Sequence, residues 1–253
     1  MRLKDLIFPP RCGACEELLP VAPKLAVPML CPVCEKELRA EMMTQCKTCF
    51  LPMADCRCVP KLMASRGFTA HLKLVPFSDT RYATARALVL TLKESADPRY
   101  YDGLAELLLP AVRAAIRASD KSRQTAGNTP ISRTVIAFLP RTPFQKCKHG
   151  TDQAECLARA LATRLDAELL SLFRRRQRAC VQKSLSRAAR LANARGSLLL
   201  CRSARTLDLT DCRVILVDDV VTTGASMAAA AELLQAGELM AVSVAFTPKA
   251  EKQ

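Results

Sequence analysis

The sequence predicts an α/β protein: a doubly wound parallel sheet preceded by a small cysteine-rich module. Three observations carry that expectation. From about residue 70 onward, short runs rich in Val, Ile and Leu alternate with longer amphipathic stretches, the pattern of parallel strands joined by crossover helices. Half of the 253 residues are apolar, yet aromatics make up only 4% and Trp is absent. The core must therefore be aliphatic and alanine-rich, which suits α/β layers. Eight of the thirteen cysteines fall within residues 12–58.

The N-terminal cysteines come in pairs: Cys12-x-x-Cys15, Cys31-x-x-Cys34, Cys46-x-x-Cys49 and Cys56-x-Cys58. A C-x-x-C turn aims two thiolates at one point, and two such turns supply four sulfurs for a tetrahedral zinc ion. Cys12, Cys15, Cys31 and Cys34 have ribbon-site spacing; Cys46, Cys49, Cys56 and Cys58 form a second, tighter set. Disulfides are the rival reading, and a cytoplasmic location argues against them. A redox C-x-x-C needs one motif on a βαβ unit, not four pairs in a row. Four sulfurs per site leave no position for a substrate, so the expected zinc is structural. Metal binding would supply folding free energy to a segment too small and too poor in apolar residues to fold alone. The remaining Cys147, Cys156, Cys180, Cys201 and Cys212 are scattered and read as ordinary thiols.

No run of roughly 18 apolar residues occurs, so no membrane span is expected. The N-terminal stretch MRLKDLIFPPRCGAC lacks the long apolar segment of a signal peptide, and the expected location is cytoplasmic. The net charge of +14 is uneven. Residues 1–70 hold ten Lys/Arg against seven Asp/Glu, whereas residues 133–205 hold sixteen against four. Eight thiolates and two Zn²⁺ would bring the first segment near neutrality. The densest basic run is Arg174 to Arg178, RRRQR. Such a run is usually a solvated face; its functional reading is an anion site for nucleic acid or a phosphorylated ligand.

A boundary near residues 60–68 divides the chain into an expected double zinc ribbon, 1–62, and an α/β domain, 68–253. In the second part, HLKLVPF (71–77) reads as a strand, and 81–93 and 100–118 as helices with an apolar stripe. The polar, Gly- and Pro-containing 120–133 reads as a loop. TVIAFLP (134–140) reads as a buried strand, followed by a helix over 152–165 with Asp152 as N-cap. AELLSLF (167–173) is a further strand and 184–195 a helix. VILV (214–217) is a strand, 226–237 a helix closed by Gly237, and 239–246 the last strand.

The most informative stretch is VILVDDVVTTGAS, residues 214–226. In an open parallel sheet, ligands bind at the carboxyl ends of strands. Asp218 and Asp219 would emerge there, and vicinal carboxylates can accept hydrogen bonds from the 2,3-diol of a ribose. Gly224 lets the backbone approach a phosphate closely. The N–H groups of Thr222, Thr223, Gly224, Ala225 and Ser226 form an anion nest, with three hydroxyls as further donors. Together these residues describe a pocket for a ribose 5-phosphate. The magnesium strand of an NTPase is excluded because no G-x-x-x-x-G-K-[ST] accompanies it. A merely structural acid pair leaves the TTG loop unexplained.

These thirteen residues resemble the signature with which type I phosphoribosyltransferases bind 5-phosphoribosyl 1-diphosphate (PRPP). Nearly the whole chain resembles the ComF family, a double zinc ribbon joined to a phosphoribosyltransferase domain. The residues carrying that likeness are LPRTPFQKCKHGTDQAECLARAL and then Gln182, Lys183, Leu185, Ser186, Arg190 and Asn193. The resemblance implies a type I phosphoribosyltransferase-like sheet. Asp218 and Asp219 would hold the ribose hydroxyls and, through them, Mg²⁺. Thr222 to Ser226 would cradle the 5-phosphate. Pro140, Arg141 and Thr142 would form the pyrophosphate loop, and Lys183, in a mobile loop, would meet pyrophosphate. The family's GFNQ stands here as Gly150-Thr151-Asp152-Gln153, which loses the aromatic and gains an acid and so puts the family role of that loop in doubt.

Two functions follow as expectations. One is a ComF-like protein that binds PRPP or a nucleotide with Mg²⁺ and acts in DNA uptake and natural transformation, through single-stranded DNA or DNA-processing proteins. The alternative is an active phosphoribosyltransferase that moves phosphoribosyl from PRPP to a nucleobase or amine in salvage. With no Trp, three Tyr and eight Phe, stacking on bases would be sparse and phosphate contact would dominate any DNA binding.

Overall fold

The computed structural model describes residues 9–19, 27, 29–77, 81–176 and 196–247. In the cysteine-rich part, two small hairpins are closed by the isolated antiparallel bridges Arg11–Leu18 and Gln45–Pro52. Between them lies helix α1 (Pro32–Met42), which starts on a proline after Cys31, whose sulfur accepts from the Cys34 N–H. The short α2 (Lys61–Ala64) leads into β1 (Phe68–Pro76). Then follow α3 (Ala83–Glu94), α4 (Pro98–Thr125), β2 (Arg133–Phe138), α5 (Pro143–His149) and α6 (Gln153–Leu165). The chain continues through β3 (Glu168–Leu170), β4 (Phe173–Arg175), β5 (Leu198–Leu200), β6 (Leu209–Val221), α7 (Ala225–Ala231) and β7 (Ala236–Phe246).

Five strands form one sheet in the order β1-β7-β6-β2-β3, and every neighbouring pair is parallel. Period-two alternation sorts each strand between two cores. Ile136, Phe138, Ile215, Val217, Met240 and Val242 face one side, together with Leu88 of α3, Leu104 of α4 and Leu157 of α6. Val135, Ala137, Val214, Leu216, Leu239 and Ala241 face the other, together with Met63 of α2 and Met227 of α7. Burial on both faces is what makes these strands continuous apolar runs in the sequence. The expected α/β fold, with two tetra-cysteine groups ahead of a parallel sheet, is what the chain adopts.

Strand order decides where a ligand can bind. From β2 the chain passes through α6 to β3 on one side; from β6 it passes through α7 to β7 on the other. Helices α6 and α7 lie in opposite cores. The loops leaving β2 and β6 therefore diverge, and a crevice opens between them at the switch point.

Several elements differ from expectation. α4 runs on to Thr125, through the first part of the expected 120–133 loop. The stretch 167–173 is two short strands, with β3 in the main sheet and β4 paired antiparallel to β5. β6 continues through both acids to Val221 instead of ending at Val217. The last helix stops at Ala231, and Gly237 lies inside β7 rather than closing a helix. Its reason is close approach: a Cβ there would lie 2.6 Å from the Thr210 carbonyl oxygen. The expected helix over 184–195 lies outside the described residues.

The cysteine-rich part is docked firmly on the sheet domain. The Tyr100 hydroxyl donates to the Arg11 carbonyl at 3.2 Å, and Met29 packs against Gly103 of α4. Glu41 of α1 accepts the N–H groups of Thr84 (3.2 Å) and Ala85 (2.8 Å), capping α3 from another element. At the amino end of the sheet, Arg213 is almost fully buried and donates to the equally buried Glu238 at 2.6 Å. Arg213→Ala leaves that buried carboxylate without its cation, with only the Thr69 and Ser119 hydroxyls as donors, so chemical denaturation should show a loss of about 3–5 kcal/mol. A loss under 1 kcal/mol would contradict this role.

Candidate functional site

The two hairpins are built alike. Cys12 N–H donates to the Glu17 carbonyl, Glu16 N–H donates back to the Cys12 carbonyl, and Glu16 has φ 63°. Thirty-four residues later, Cys46, Leu51 and Phe50 repeat the arrangement, with φ 60° at Phe50. Each left-handed residue turns the chain so that both sulfurs of its C-x-x-C face inward. The second half of each group comes from elsewhere: Cys31 and Cys34 at the start of α1, Cys56 and Cys58 just before α2.

Within each group, Cys12, Cys15, Cys31 and Cys34 or Cys46, Cys49, Cys56 and Cys58, all four sulfurs lie within 4.8 Å of one another. Cys15 Sγ and Cys31 Sγ are 3.8 Å apart, which matches the edge of a tetrahedron with Zn–S bonds of about 2.3 Å. Backbone N–H groups point at the sulfurs, from Cys31 to Cys12 and from Thr48 to Cys46, both at 3.4 Å. Burial opposes ionisation of Cys12, but the N–H donors of Cys15, Cys31 and Ala14 outweigh it and bring the thiol to about 7. Cys46 is treated the same way: burial opposes, the Cys49 and Thr48 amides prevail, and it comes down to about 6. Each group thus offers a ready thiolate, and the donor set fits two zinc ions.

The crevice at the switch point has two lobes that meet at Asp218. One, of about 210 Å³, is lined by Asp218 and the loop from Val220 to Met227. In it, Gly224 is left-handed at φ 75°, and Ala225 N–H is drawn to Thr223 Oγ1 at 3.4 Å. Thr222, Thr223 and Gly224 N–H make no hydrogen bond among the described residues. α7, which follows, has only seven residues, so the loop amides rather than a long helix dipole would carry anion binding.

The other lobe, of about 360 Å³, is lined by Lys93, Arg141, Gln145, His149, Arg175 and both acids, among others. The turn after β2, expected as a loop, leads into α5, whose N-terminus is capped by Thr142 Oγ1 accepting from Gln145 N–H. Asp152 occupies the N-cap position of α6, but its side chain makes no cap. Instead Asp152 Oδ2 accepts the Arg141 N–H at 2.9 Å. Asp152 therefore fastens the loop between β2 and α5. Arg141's guanidinium donates to the carbonyls of Lys93 and Thr151.

Between the lobes, Asp218 Oδ1 accepts Asp219 N–H at 2.9 Å and Asp219 Oδ1 accepts Val220 N–H at 2.7 Å. One oxygen of each acid is thus anchored by the next backbone N–H. Enclosure by protein, and next the Asp219 carboxylate, push the Asp218 pKa well above its ordinary value; Arg175 pulls it back in part. Two acids held this close call for a cation or a pair of hydroxyl donors.

No protein-family model matches the chain, and no curated protein matches it.

Asp218, Asp219, Thr222, Thr223, Gly224, Ala225, Ser226 and Arg141 all line the crevice. Lys183 and the other residues of the 182–193 stretch lie outside the described residues. Sequence reasoning did not single out Lys93, Gln145, His149 or Met63. The fully buried Met63 lies directly beneath Gly224, where a Cβ would meet its Cγ at 2.6 Å. No local signal marks these residues, because distant elements bring them in.

Proposed function

We propose that this chain binds PRPP or a related ribose 5-phosphate with Mg²⁺ in the crevice between β2 and β6. One observation carries the reading: a vicinal acid pair stands between an amide-rich loop and a cation-lined lobe, at the switch point of a parallel sheet. The loop suits a 5-phosphate, the acids a ribose diol, and the cations a diphosphate. Mg²⁺, held through the ligand's oxygens next to Asp218 and Asp219, would neutralise charge on the diphosphate. Arg141 and Asp152 hold the β2 loop in place, while Thr223 and Gly224 shape the phosphate loop.

The biological setting that we favour is DNA uptake and natural transformation, in the cytoplasm, with single-stranded DNA or DNA-processing proteins as partners. The resemblance to the ComF family and the basic 133–205 segment support it; Arg174 and Arg176 are both exposed. Single-stranded DNA should then bind at low salt and weaken steeply as salt rises. The second reading, transfer of phosphoribosyl to a base or amine, is favoured by the cations around the diphosphate lobe, which would stabilise the leaving group. Pyrophosphate release from PRPP with any member of a base panel separates the two.

Calorimetry tests the binding itself. Mg·PRPP should bind the wild-type chain and lose at least about 10–100-fold affinity in Asp218→Asn/Asp219→Asn, which removes charged acceptors. Equal binding by both would sink the assignment. The raised Asp218 pKa sets the pH dependence. The empty site holds a proton more tightly than a free acid does, and the metal-bound ligand needs the ionised form. Binding should therefore release a proton, and affinity should rise with pH through the folded-state pKa. Titrations in buffers of different ionisation enthalpy measure that proton.

A further inference from the structure

Arg175 is the last residue of β4, and in sequence it is simply the second residue of RRRQR. In space it differs from its neighbours. Arg174 and Arg176 are exposed, whereas Arg175 is half-buried and lines the cation-rich lobe beside Asp218 and Asp219. Its Nη2 donates to Ser226 Oγ at 3.2 Å, and Ser226 belongs to the other lobe. Among the described residues, Arg175 is therefore the cation that touches both lobes. Its Nε is shut away from solvent with no hydrogen-bond partner among the described residues.

A guanidinium has five donors, and burying one without an acceptor is costly. Nε–H and one Nη2–H lie along the same edge of the fork and are spaced to meet two oxygens of one phosphate. The Ser226 hydroxyl already sits against Nη2, so an anion seated in the TTGAS loop lies within reach of that edge. Towards the other lobe, Arg175 is the positive charge that partly offsets the enclosed Asp218. A cationic ligand complex at the acids would relieve Arg175 of that duty and leave it to the phosphate.

We propose that Arg175 is a binding residue for the 5-phosphate of the sugar ligand, joining the phosphate loop at Ser226 to the acid pair across the two lobes. This rests on the reading of the crevice as a ribose 5-phosphate site. It makes the phosphate group, not the sugar, the main determinant of recognition in the smaller lobe.

The test is equilibrium binding of ribose 5-phosphate and of ribose, without added metal, to the wild-type chain and to Arg175→Ala and Arg175→Lys. Wild type should bind ribose 5-phosphate and discriminate strongly against ribose. Arg175→Ala should weaken ribose 5-phosphate on the order of 10–100-fold. Arg175→Lys should fall between, because it keeps the charge and loses the fork. Unchanged melting temperatures show that the variants fold. The loss should persist when Arg175→Ala is made in the Asp218→Asn background; an effect acting only through the acids would vanish there and overturn the proposal. Equal affinity of wild type and Arg175→Ala overturns it while leaving the crevice reading intact. If wild type binds neither ribose 5-phosphate nor Mg·PRPP, that reading falls and the role of Arg175 falls with it.

Discussion

Stripping the metal from the purified chain should release about two zinc ions, one for each four-cysteine group. It should also lower the melting temperature sharply and weaken PRPP binding. Structural zinc contributes folding free energy on the order of 10 kcal/mol per site in small modules, and here the loss would spread. The core of the first group, with Met29, Leu30 and Leu38, is continuous with Leu88 and Tyr100 of the sheet domain. Melting it exposes the face of α3 and α4. The second group touches the site more directly. Lys73 of β1 is buried, and its ammonium donates to the Cys58 carbonyl at 2.9 Å. Burial pushes the Cys56 thiol up, and Lys73 is the largest influence opposing it. A four-thiolate zinc site carries a net charge of −2, which that ammonium offsets in part. Two residues after Cys58 begins the turn into α2, whose Met63 underlies Gly224. Cys56→Ser/Cys58→Ser should therefore weaken PRPP more than Cys12→Ser/Cys15→Ser does. Calorimetry together with metal analysis reads this directly. A metal-free chain with unchanged melting and binding would contradict it.

The second large effect is expected from Gly224→Ala. Glycine is required twice over at this position. Its φ of 75° costs an alanine about 1–2 kcal/mol. The new methyl would also lie 2.6 Å from Met63 Cγ and 2.7 Å from its Sδ, in the middle of a side chain with no exposed surface. Forcing that contact costs typically 1–3 kcal/mol more. The loop must shift, and its amides with it, so PRPP affinity should drop on the order of 100-fold. Met63→Ala added to Gly224→Ala should recover the steric part and leave the conformational part. A single variant that binds like wild type would show that this loop does not hold the phosphate.

Much of this was readable from sequence, for reasons that differ by element. β2, β6 and β7 announce themselves because both their faces are buried, which makes each a continuous aliphatic run. Helices 83–94 and 153–165 carry an apolar stripe for one core only, and their expected positions hold within a few residues. The helix expected to end at Gly237 misled because a glycine after alanines looks like a cap; its actual cause is the carbonyl of Thr210 on the neighbouring strand, 27 residues back. Asp152 misled in the same way: it stands where a cap belongs, but a loop amide eleven residues earlier competes for its carboxylate and wins.

The cysteine pairs and the VILVDDVVTTGAS stretch stand out before any folding, since each is a local device whose donors sit within a few residues of one another. That the two cysteine groups lean on the sheet depended on α1 and α2 packing where they do. Arg175, Lys93 and Met63 became part of the site only through strand order. β4, α3 and α2 arrive from separate parts of the chain and meet where β2 and β6 diverge. Spacing along a chain records chemistry that neighbours perform together, whereas a crevice is made by elements whose meeting is set by how a whole sheet buries its two faces.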